Sequence, residues 1–464
     1  MRRDLIRALV VSVALFATGC AVRHPYTPPS TAPVALKQAT PDAFTEQPYD
    51  PRWWMLFEDP VLERLEATAL TANHDIRIAV ARVEQARAIF DDVALDRYPV
   101  AGAGASVDAR SQEIPGFSNE PVRTTTYRFG VEMFWEADVF GAIRSAMRSA
   151  AATADAYQAS LDDVRVIVAA DVARSYFDLR GVQQQLAVAE RSLSNQQEAL
   201  RLTQVKRDAG IGEEQDVASA AAQVASVEAR VPPLRAHLAV EQHRLAVLTG
   251  VRPAELTEDL APRAYAPLMA SLPLGATGEL LRRRPDVRAA ERRLAAAAAR
   301  EGIAAADLFP RISVSGFIGL LAGRGNLFGT AASRAWAVTP ALSWVGTDLG
   351  STRARLRGTE AATRESLAVY EQTVLRAIEE TENALVEYRE AQVRLDRLME
   401  QARESARSSD LARVRYREGL ADFLSLLDAE RTQLDAEDAV AQVEAGVFSS
   451  VVDVYKALGG AAAP

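Results

Sequence analysis

Few side chains in this sequence are spaced for chemistry. His237 and His243 stand six residues apart, on different faces of a helix and out of the i, i+4 register in which two imidazoles share one metal. The run Arg282–Arg284 has the look of an anion site, but it precedes a helical stretch whose early Asp286 suits the positive end of the helix dipole. A structural role at a helix start is therefore expected. The glycines between 319 and 329 are followed by no Gly-Lys-Ser/Thr and so cradle no phosphate. Cys20 is the single cysteine, which excludes an intrachain disulfide and a thiolate metal cluster. No Ser/His/Asp set or isolated carboxylate pair stands out, so the expectation is a chain that is not an enzyme, with no catalytic residue, metal or cofactor. Three residues remain near short glycine turns: Asp216, six after Gly210; Asp428, nine after Gly419; and Tyr416, three before Gly419.

Those two turns are copies of each other. Asp75-Ile76-Arg77 recurs as Asp286-Val287-Arg288, an offset of 211 (286 − 75), and Leu70/Leu281, Arg82/Arg293, Asp96/Asp307 and Pro99/Pro310 coincide at the same offset. Further on the offset is 209 (344 − 135), pairing Trp135/Trp344, Gly141/Gly350, Arg144/Arg353, Arg180/Arg389 and Gly210/Gly419. Alanine and arginine match by chance in such a chain; Trp, Pro and Gly in the same order do not. The chain is a tandem duplication, and a pseudo-twofold architecture follows.

The N-terminus reads as a targeting segment. Arg2 and Arg3 precede an apolar stretch, Ala8 to Ala17, too short for the roughly 20 residues a bilayer-spanning helix needs. Ala17-Thr18-Gly19-Cys20 resembles a lipoprotein signal, which implies cleavage after residue 19 and lipidation of Cys20. The formal charge is −9, and no basic cluster with interleaved aromatics appears, so nucleic acid is not an expected partner. Aromatics are 6% of the chain, which suits slender helices with thin apolar seams better than one broad core.

Residues 20–58 hold many prolines and read as an extended tether without regular structure. A long helical pattern from about Asp59 to Arg97 stops at Pro99. Period-2 alternation follows: Tyr127, Phe129, Val131, Met133 and Trp135 share one face, with Arg128, Gly130, Glu132 and Phe134 on the other. The second copy places Trp336, Val338, Leu342 and Trp344 together, and Ile312, Val314, Gly316, Ile318 and Leu320 alternate upstream. Each half thus holds a strand hairpin, near 99–137 and 310–346, with tips around Pro115-Gly116 and Gly323–Asn326. Each hairpin is followed by a helical run, 141–209 and 350–417, which at ~1.5 Å per residue reaches on the order of 100 Å. Val374, Ile378, Leu385, Tyr388, Leu395, Met399 and Ala402 form a heptad-like seam in the second. Each run returns through its glycine turn as another helix, 213–248 and 421–457, the first of which Val231-Pro232-Pro233 is expected to kink or break.

Aromatic-ended strands with one apolar face are the mark of a transmembrane β-barrel. Four strands cannot close one, and each unpaired N–H or C=O at an open edge costs several kcal/mol in hydrocarbon, so several chains must share the barrel. At this point the sequence resembles the TolC-like outer-membrane efflux lipoproteins of the OprM/NodT type. The resemblance rests on Trp54-x-x-Phe57-x-Asp59-Pro60, Trp135-Glu136-x-Asp138-x-Phe140-Gly141, Leu281–Glu291, Tyr416-x-x-Gly419 with Leu427-Asp428-Ala429, and Tyr455–Gly460. It implies a mainly α fold with β: two tandem repeats, each giving a β-hairpin to a shared twelve-stranded transmembrane barrel and a long antiparallel helical hairpin to a trimeric periplasmic α-barrel. It implies a homotrimer in the cell outer membrane, lipid-anchored, that docks with a periplasmic adaptor (membrane fusion) protein and an inner-membrane efflux pump to export small molecules. It also implies that Asp216 and Asp428 are constriction carboxylates at the periplasmic gate and that Tyr416, through its hydroxyl, holds the tip shut. Ala421 stands where some members carry an arginine latch, and Asp422 is a further lumen carboxylate to consider.

The organisation expected is a lipoprotein signal peptide 1–19, a tether 20–58, a first repeat 59–250, a linker 251–275, a second repeat 276–458 and a short tail 459–464. Two alternatives belong to other classes. A periplasmic adaptor lipoprotein carries one helical hairpin between lipoyl halves, and two tandem hairpins with aromatic-faced strands argue against it. A structural coiled-coil envelope lipoprotein needs neither strand hairpins nor acidic tip residues.

Overall fold

The duplication reappears in the structure as matched hydrogen bonds. The Trp135 indole donates to the Arg97 carbonyl at 3.0 Å, and the Trp344 indole donates to the Leu308 carbonyl at 3.1 Å, each tying the end of a strand hairpin to the helix before it. The computed structural model describes residues 26–29, 36–48, 50–114, 118–263, 271–276, 279–346 and 348–460. The signal peptide, Cys20 and the hairpin tip at Pro115-Gly116 lie outside the described residues.

In chain order the elements are β1 (Phe44–Thr45), a 3-10 turn (Trp53–Phe57), α1 (Pro60–Ala72), α2 (His74–Leu95), β2 (Val100–Ile114), β3 (Ser118–Ala137), α3 (Ala142–Asp208), α4 (Glu214–Leu248), β4 (Leu272–Pro273), α5 (Leu280–Arg283), α6 (Pro285–Ala306), β5 (Arg311–Ala322), β6 (Arg334–Ser343), α7 (Leu349–Arg417) and α8 (Phe423–Ala457). They fall into two compact units that cut across the repeats. One comprises Met1–Ser30, Arg82–Gln158 and Ala289–Glu371; the other comprises Thr31–Ala81, Ala159–Arg288 and Gln372–Pro464.

The first unit holds a four-stranded antiparallel sheet, β2-β3-β5-β6. Its register carries the alternation across all four strands. Ala103 pairs with Val131, Val131 with Ile318 and Ile318 with Trp336, so one face is apolar from edge to edge. Ile318 and Trp336 are 67% and 77% exposed, so this row of the face lies open in the single chain. The opposite face carries the Arg128–Glu132 ion pair at 2.7 Å, with the Arg128 guanidinium 4.2 Å from the Phe317 ring centre. Gly130 pairs with Gly319, where a Cβ would meet backbone oxygen at 2.5 and 2.2 Å, so no larger residue fits at this crossing. Among the described residues β2 and β6 are edges with no further strand beside them. Among the described residues no helix is long and apolar enough to cross a membrane.

The second unit is held by an aromatic knot. Trp53 stacks on Tyr455 at 5.7 Å, Phe57 meets Phe177 at 4.6 Å, and Phe177 stacks on Phe448 at 4.9 Å. Here the structure corrects the expectation of an unstructured tether through residue 58. Phe44–Thr45 pairs in parallel with Leu272–Pro273, and Trp53, Trp54 and Phe57 are buried, because large apolar rings gain more by burial than the proline-rich backbone loses by ordering. Asp59 then caps α1 by accepting from Val61 N–H at 2.8 Å, with Pro60 at the first helical position. The carboxylate also accepts the Tyr176 hydroxyl, which explains why Trp, Phe, Asp and Pro occur in that order.

One helix boundary differs from expectation, and a break expected within another helix is absent. The pattern from 59 to 97 is two helices, because Asn73 leaves the helical conformation and its side chain accepts from Asp75 N–H at 2.8 Å, starting α2 afresh. α4, by contrast, is one uninterrupted helix through Pro232 and Pro233. The carbonyls those prolines leave without a donor belong to Glu228 and Ala229, both on the exposed side of the helix, where water can serve them. The seam on α7 buries Leu385 and Tyr388 completely, while Met399 remains exposed in the single chain.

α1 carries an anomaly. Glu66 is fully buried on the helix that buries Val61, Leu62 and Leu65, and neither carboxylate oxygen has a hydrogen-bond partner among the described residues. Burial pushes its carboxyl well above the ordinary value of 4.5. The penalty for burying it is therefore smallest below the unfolded value, where both states hold the proton, and grows as pH rises toward the folded one. Glu66→Leu is expected to stabilise the protein at pH 8, by on the order of 1–3 kcal/mol, and by less at pH 5. Thermal melting at the two pH values checks this; a variant less stable than the parent at pH 8 contradicts it.

Candidate functional site

The two glycine turns come together in the second unit. α3 ends with Gly210 at φ 73° and Ile211 N–H donating to the Lys206 carbonyl at 3.0 Å. α7 ends the same way, with Gly419 at φ 71° and Leu420 N–H donating to the Arg415 carbonyl at 2.8 Å. A left-handed residue is what this helix stop requires, and glycine supplies it without a Cβ clash. Both turns thus follow from one duplicated piece of sequence.

Around them Ala220, Tyr416, Phe423 and Leu426 form a small buried cluster, with the Tyr416 and Phe423 ring centres 5.7 Å apart. Lys206 closes it. Its ammonium sits 3.7 Å from the Tyr416 ring centre and donates to the Tyr416 carbonyl at 3.3 Å. Farther from the turns, Glu430 is almost fully buried and accepts from Gln196 at 2.9 Å and Arg413 at 3.0 Å, stitching α3, α7 and α8 into one register.

Of the three residues singled out in the sequence, the structure brings Asp216 and Tyr416 together. Asp216 is half-buried in the first turn of α4. Burial raises its carboxyl, and the negative charges of Glu213 and Asp422 raise it further against the opposing pull of Lys206. Burial also raises the Tyr416 phenol, with Asp216 adding to the effect. Tyr416 is held by its ring and its carbonyl; its hydroxyl makes no hydrogen bond among the described residues. Asp428 lies apart from this pair, exposed on α8, and its carboxylate makes no ion pair or hydrogen bond among the described residues. Asp422 has a local task. It caps α8 by accepting from Ser425 N–H at 2.8 Å, and hydrogen bonds from the Ser425 hydroxyl and backbone hold its carboxyl below the usual range.

Within the arginine run, Arg284 is structural. Arg284 is buried, pairing with Asp286 at 2.7 Å and Glu380 at 2.6 Å and donating to the Ala457 carbonyl at 2.8 Å, so it binds α6 to α7 and α8 and leaves no donor for a ligand. Beside it is a cavity of about 520 Å³ lined by Asp163, Asp286, Glu380 and Lys456, in which burial, reinforced by Asp286, raises Asp163 to about 6. No group of three or more His, Cys, Asp or Glu able to hold a metal occurs among the described residues. The residue that reading the sequence missed is Lys206. The available signal was composition: the 53 basic residues include only three lysines, Lys37, Lys206 and Lys456.

The comparisons with known proteins agree with the fold and with each other. The model of the Outer membrane efflux protein family matches residues 65–251 and 276–460, one stretch in each repeat. Nodulation protein T of Rhizobium leguminosarum bv. trifolii is 30% identical over 440 residues, covering 90% of each chain. The solvent efflux pump outer membrane protein SrpC of Pseudomonas putida is 29% identical, covering 98% of each. Among solved structures, the outer-membrane channel OprN superposes with a TM-score of 0.93 at 46% identity, over 95% of this chain and 99% of that one. The open state of the MtrE outer membrane channel of Neisseria gonorrhoeae gives a TM-score of 0.83 at 27% identity, over 95% and 98%.

Proposed function

Because the chain belongs to the outer membrane efflux protein family, as the outer-membrane channel of a tripartite system that exports small molecules, we propose that its tip carries the gate. The chain transports rather than catalyses. In this reading it is a homotrimer whose three four-stranded sheets close one twelve-stranded barrel, and it works with a periplasmic adaptor and an inner-membrane pump. Relatives named for solvent and toluene efflux favour small toxic compounds as cargo. Asp216 and Asp428 from three chains form the acidic constriction, Tyr416 belongs to the closure, and Cys20 carries the lipid.

One observation carries the reading: a sheet with one continuous apolar face and two unpaired edges. Water would not tolerate that face exposed, and hydrocarbon would not tolerate those edges, so only a multi-chain barrel in a membrane satisfies both. The adaptor and spacer alternatives account for neither. The functional test is reconstitution of the trimer into planar bilayers. A conductance that prefers cations and is blocked by trivalent cations from the tip side is expected; a reconstituted trimer that never conducts overturns the reading. The anchor is tested by fatty-acid labelling of cells: label enters the parent protein and is lost in Cys20→Ser, whereas an unlabelled parent makes the signal an ordinary secretory one.

A further inference from the structure

We propose that Lys206 is the cationic latch of the closed tip, tying the end of α3 to the end of α7 through the ring and carbonyl of Tyr416. The inference rests on the gate reading above and names the residue that does the closing.

One ammonium serves two acceptors of the same residue. At 3.7 Å it lies over the negative face of the Tyr416 ring, and at 3.3 Å it donates to a carbonyl at the negative end of the α7 dipole. Gly419 N–H donates to that same carbonyl at 3.2 Å, so the latch acts on the turn itself. The cation–π attraction fades beyond about 6 Å, so a separation of α3 from α7 by a few ångströms breaks it.

The duplication supplies a control within the molecule. Lys206 corresponds to Arg415 and Tyr416 to Arg207, at the offset of 209 (415 − 206). Arg415 is exposed, and Arg207 pairs with Asp208 at 2.7 Å and Glu214 at 3.3 Å. Where the ancestral unit has two equivalent positions, this chain therefore joins the two hairpins in one direction only. Ala421, at the second turn, offers only a methyl group, with no donor or charge to hold the tip.

The experiment compares resting conductance in planar bilayers for variants that remain trimeric by mass. Lys206→Met is expected to raise it on the order of tenfold, because a contribution repeated in three protomers shifts the closed–open balance. Lys206→Arg should raise it less than Lys206→Met, and Tyr416→Phe less than Tyr416→Leu, since the first of each pair keeps the charge or the ring. Combining Lys206→Met with Tyr416→Leu should add little to the larger single effect, as one shared contact predicts. Should Lys206→Met fail to assemble, the Tyr416 pair decides: equal opening by Tyr416→Phe and Tyr416→Leu assigns the closure to the hydroxyl and overturns the latch. A trimeric Lys206→Met indistinguishable from a conducting parent overturns the latch alone, whereas a parent that never conducts overturns the channel reading with it.

Discussion

Replacing Asp428 and Asp216 together with alanine is expected to remove most of the channel's preference for cations and to weaken trivalent block by on the order of 10- to 100-fold. Six carboxylates around one narrow bore would be deleted. At ~4 Å a unit charge pair is worth about 1 kcal/mol in water and more where water is restricted, so their joint effect on a trivalent ion amounts to a few kcal/mol. The two residues enter unequally. Asp428 is exposed, with no partner in its own chain among the described residues, and is free to meet its symmetry copies or an ion. Asp216 is half-buried next to Glu213 and Asp422, and its carboxyl is raised above the ordinary 3.8. A raised carboxyl takes up its proton at a higher pH than a free aspartate does, so cation selectivity should begin to fall above pH 3.8 as the solution is acidified. Asp216→Ala should diminish that early loss. Single-channel reversal potentials in a salt gradient, recorded against pH, measure all of this. A double variant that selects and is blocked like the parent makes both residues solvated tip positions.

Much of the architecture was legible because the elements carry strong local signals. Pro99 and Pro310 stop helices, Gly210 and Gly419 turn them, and the strand alternation from Tyr127 to Trp135 places the apolar face that the register with β5 then extends. Long helices with sparse seams are equally visible, and their observed ends, such as Ala142–Asp208 and Leu349–Arg417, follow those stops.

What escaped depends on contacts far apart in sequence. Trp53 looks like a loop residue until Tyr455 is stacked on it, and Pro232-Pro233 looks like a break until the exposed face that bears it is seen. Asn73 hides a helix start inside an unbroken helical pattern, since its capping side chain is the only local sign. The site was half legible. Tyr416 and Asp216 were marked by family resemblance, but the group that engages Tyr416 is Lys206, 210 residues away (416 − 206), and a cation over a ring leaves no pattern in either local sequence. In the proposed latch Tyr416 acts through its ring and carbonyl rather than its hydroxyl.

The central claim is that the chain is a third of a channel: the sheet edges call for several chains, and the family resemblance sets their number at three. β2 is 15 residues long and β6 is 10, and about half of the backbone groups on each point away from the sheet, with no strand among the described residues to receive them. At several kcal/mol for each unpaired group in hydrocarbon, a lone sheet in a membrane would be destabilised by tens of kcal/mol, more than the 5–15 kcal/mol that holds a typical protein together. Pairing β2 of one chain with β6 of the next removes every edge once the ring closes at twelve strands. The measurement is the mass of the detergent-extracted protein, corrected for bound detergent. A single species near three times the 50.2 kDa chain mass is predicted; a folded, monodisperse monomer would contradict the account, because it would leave both edges open.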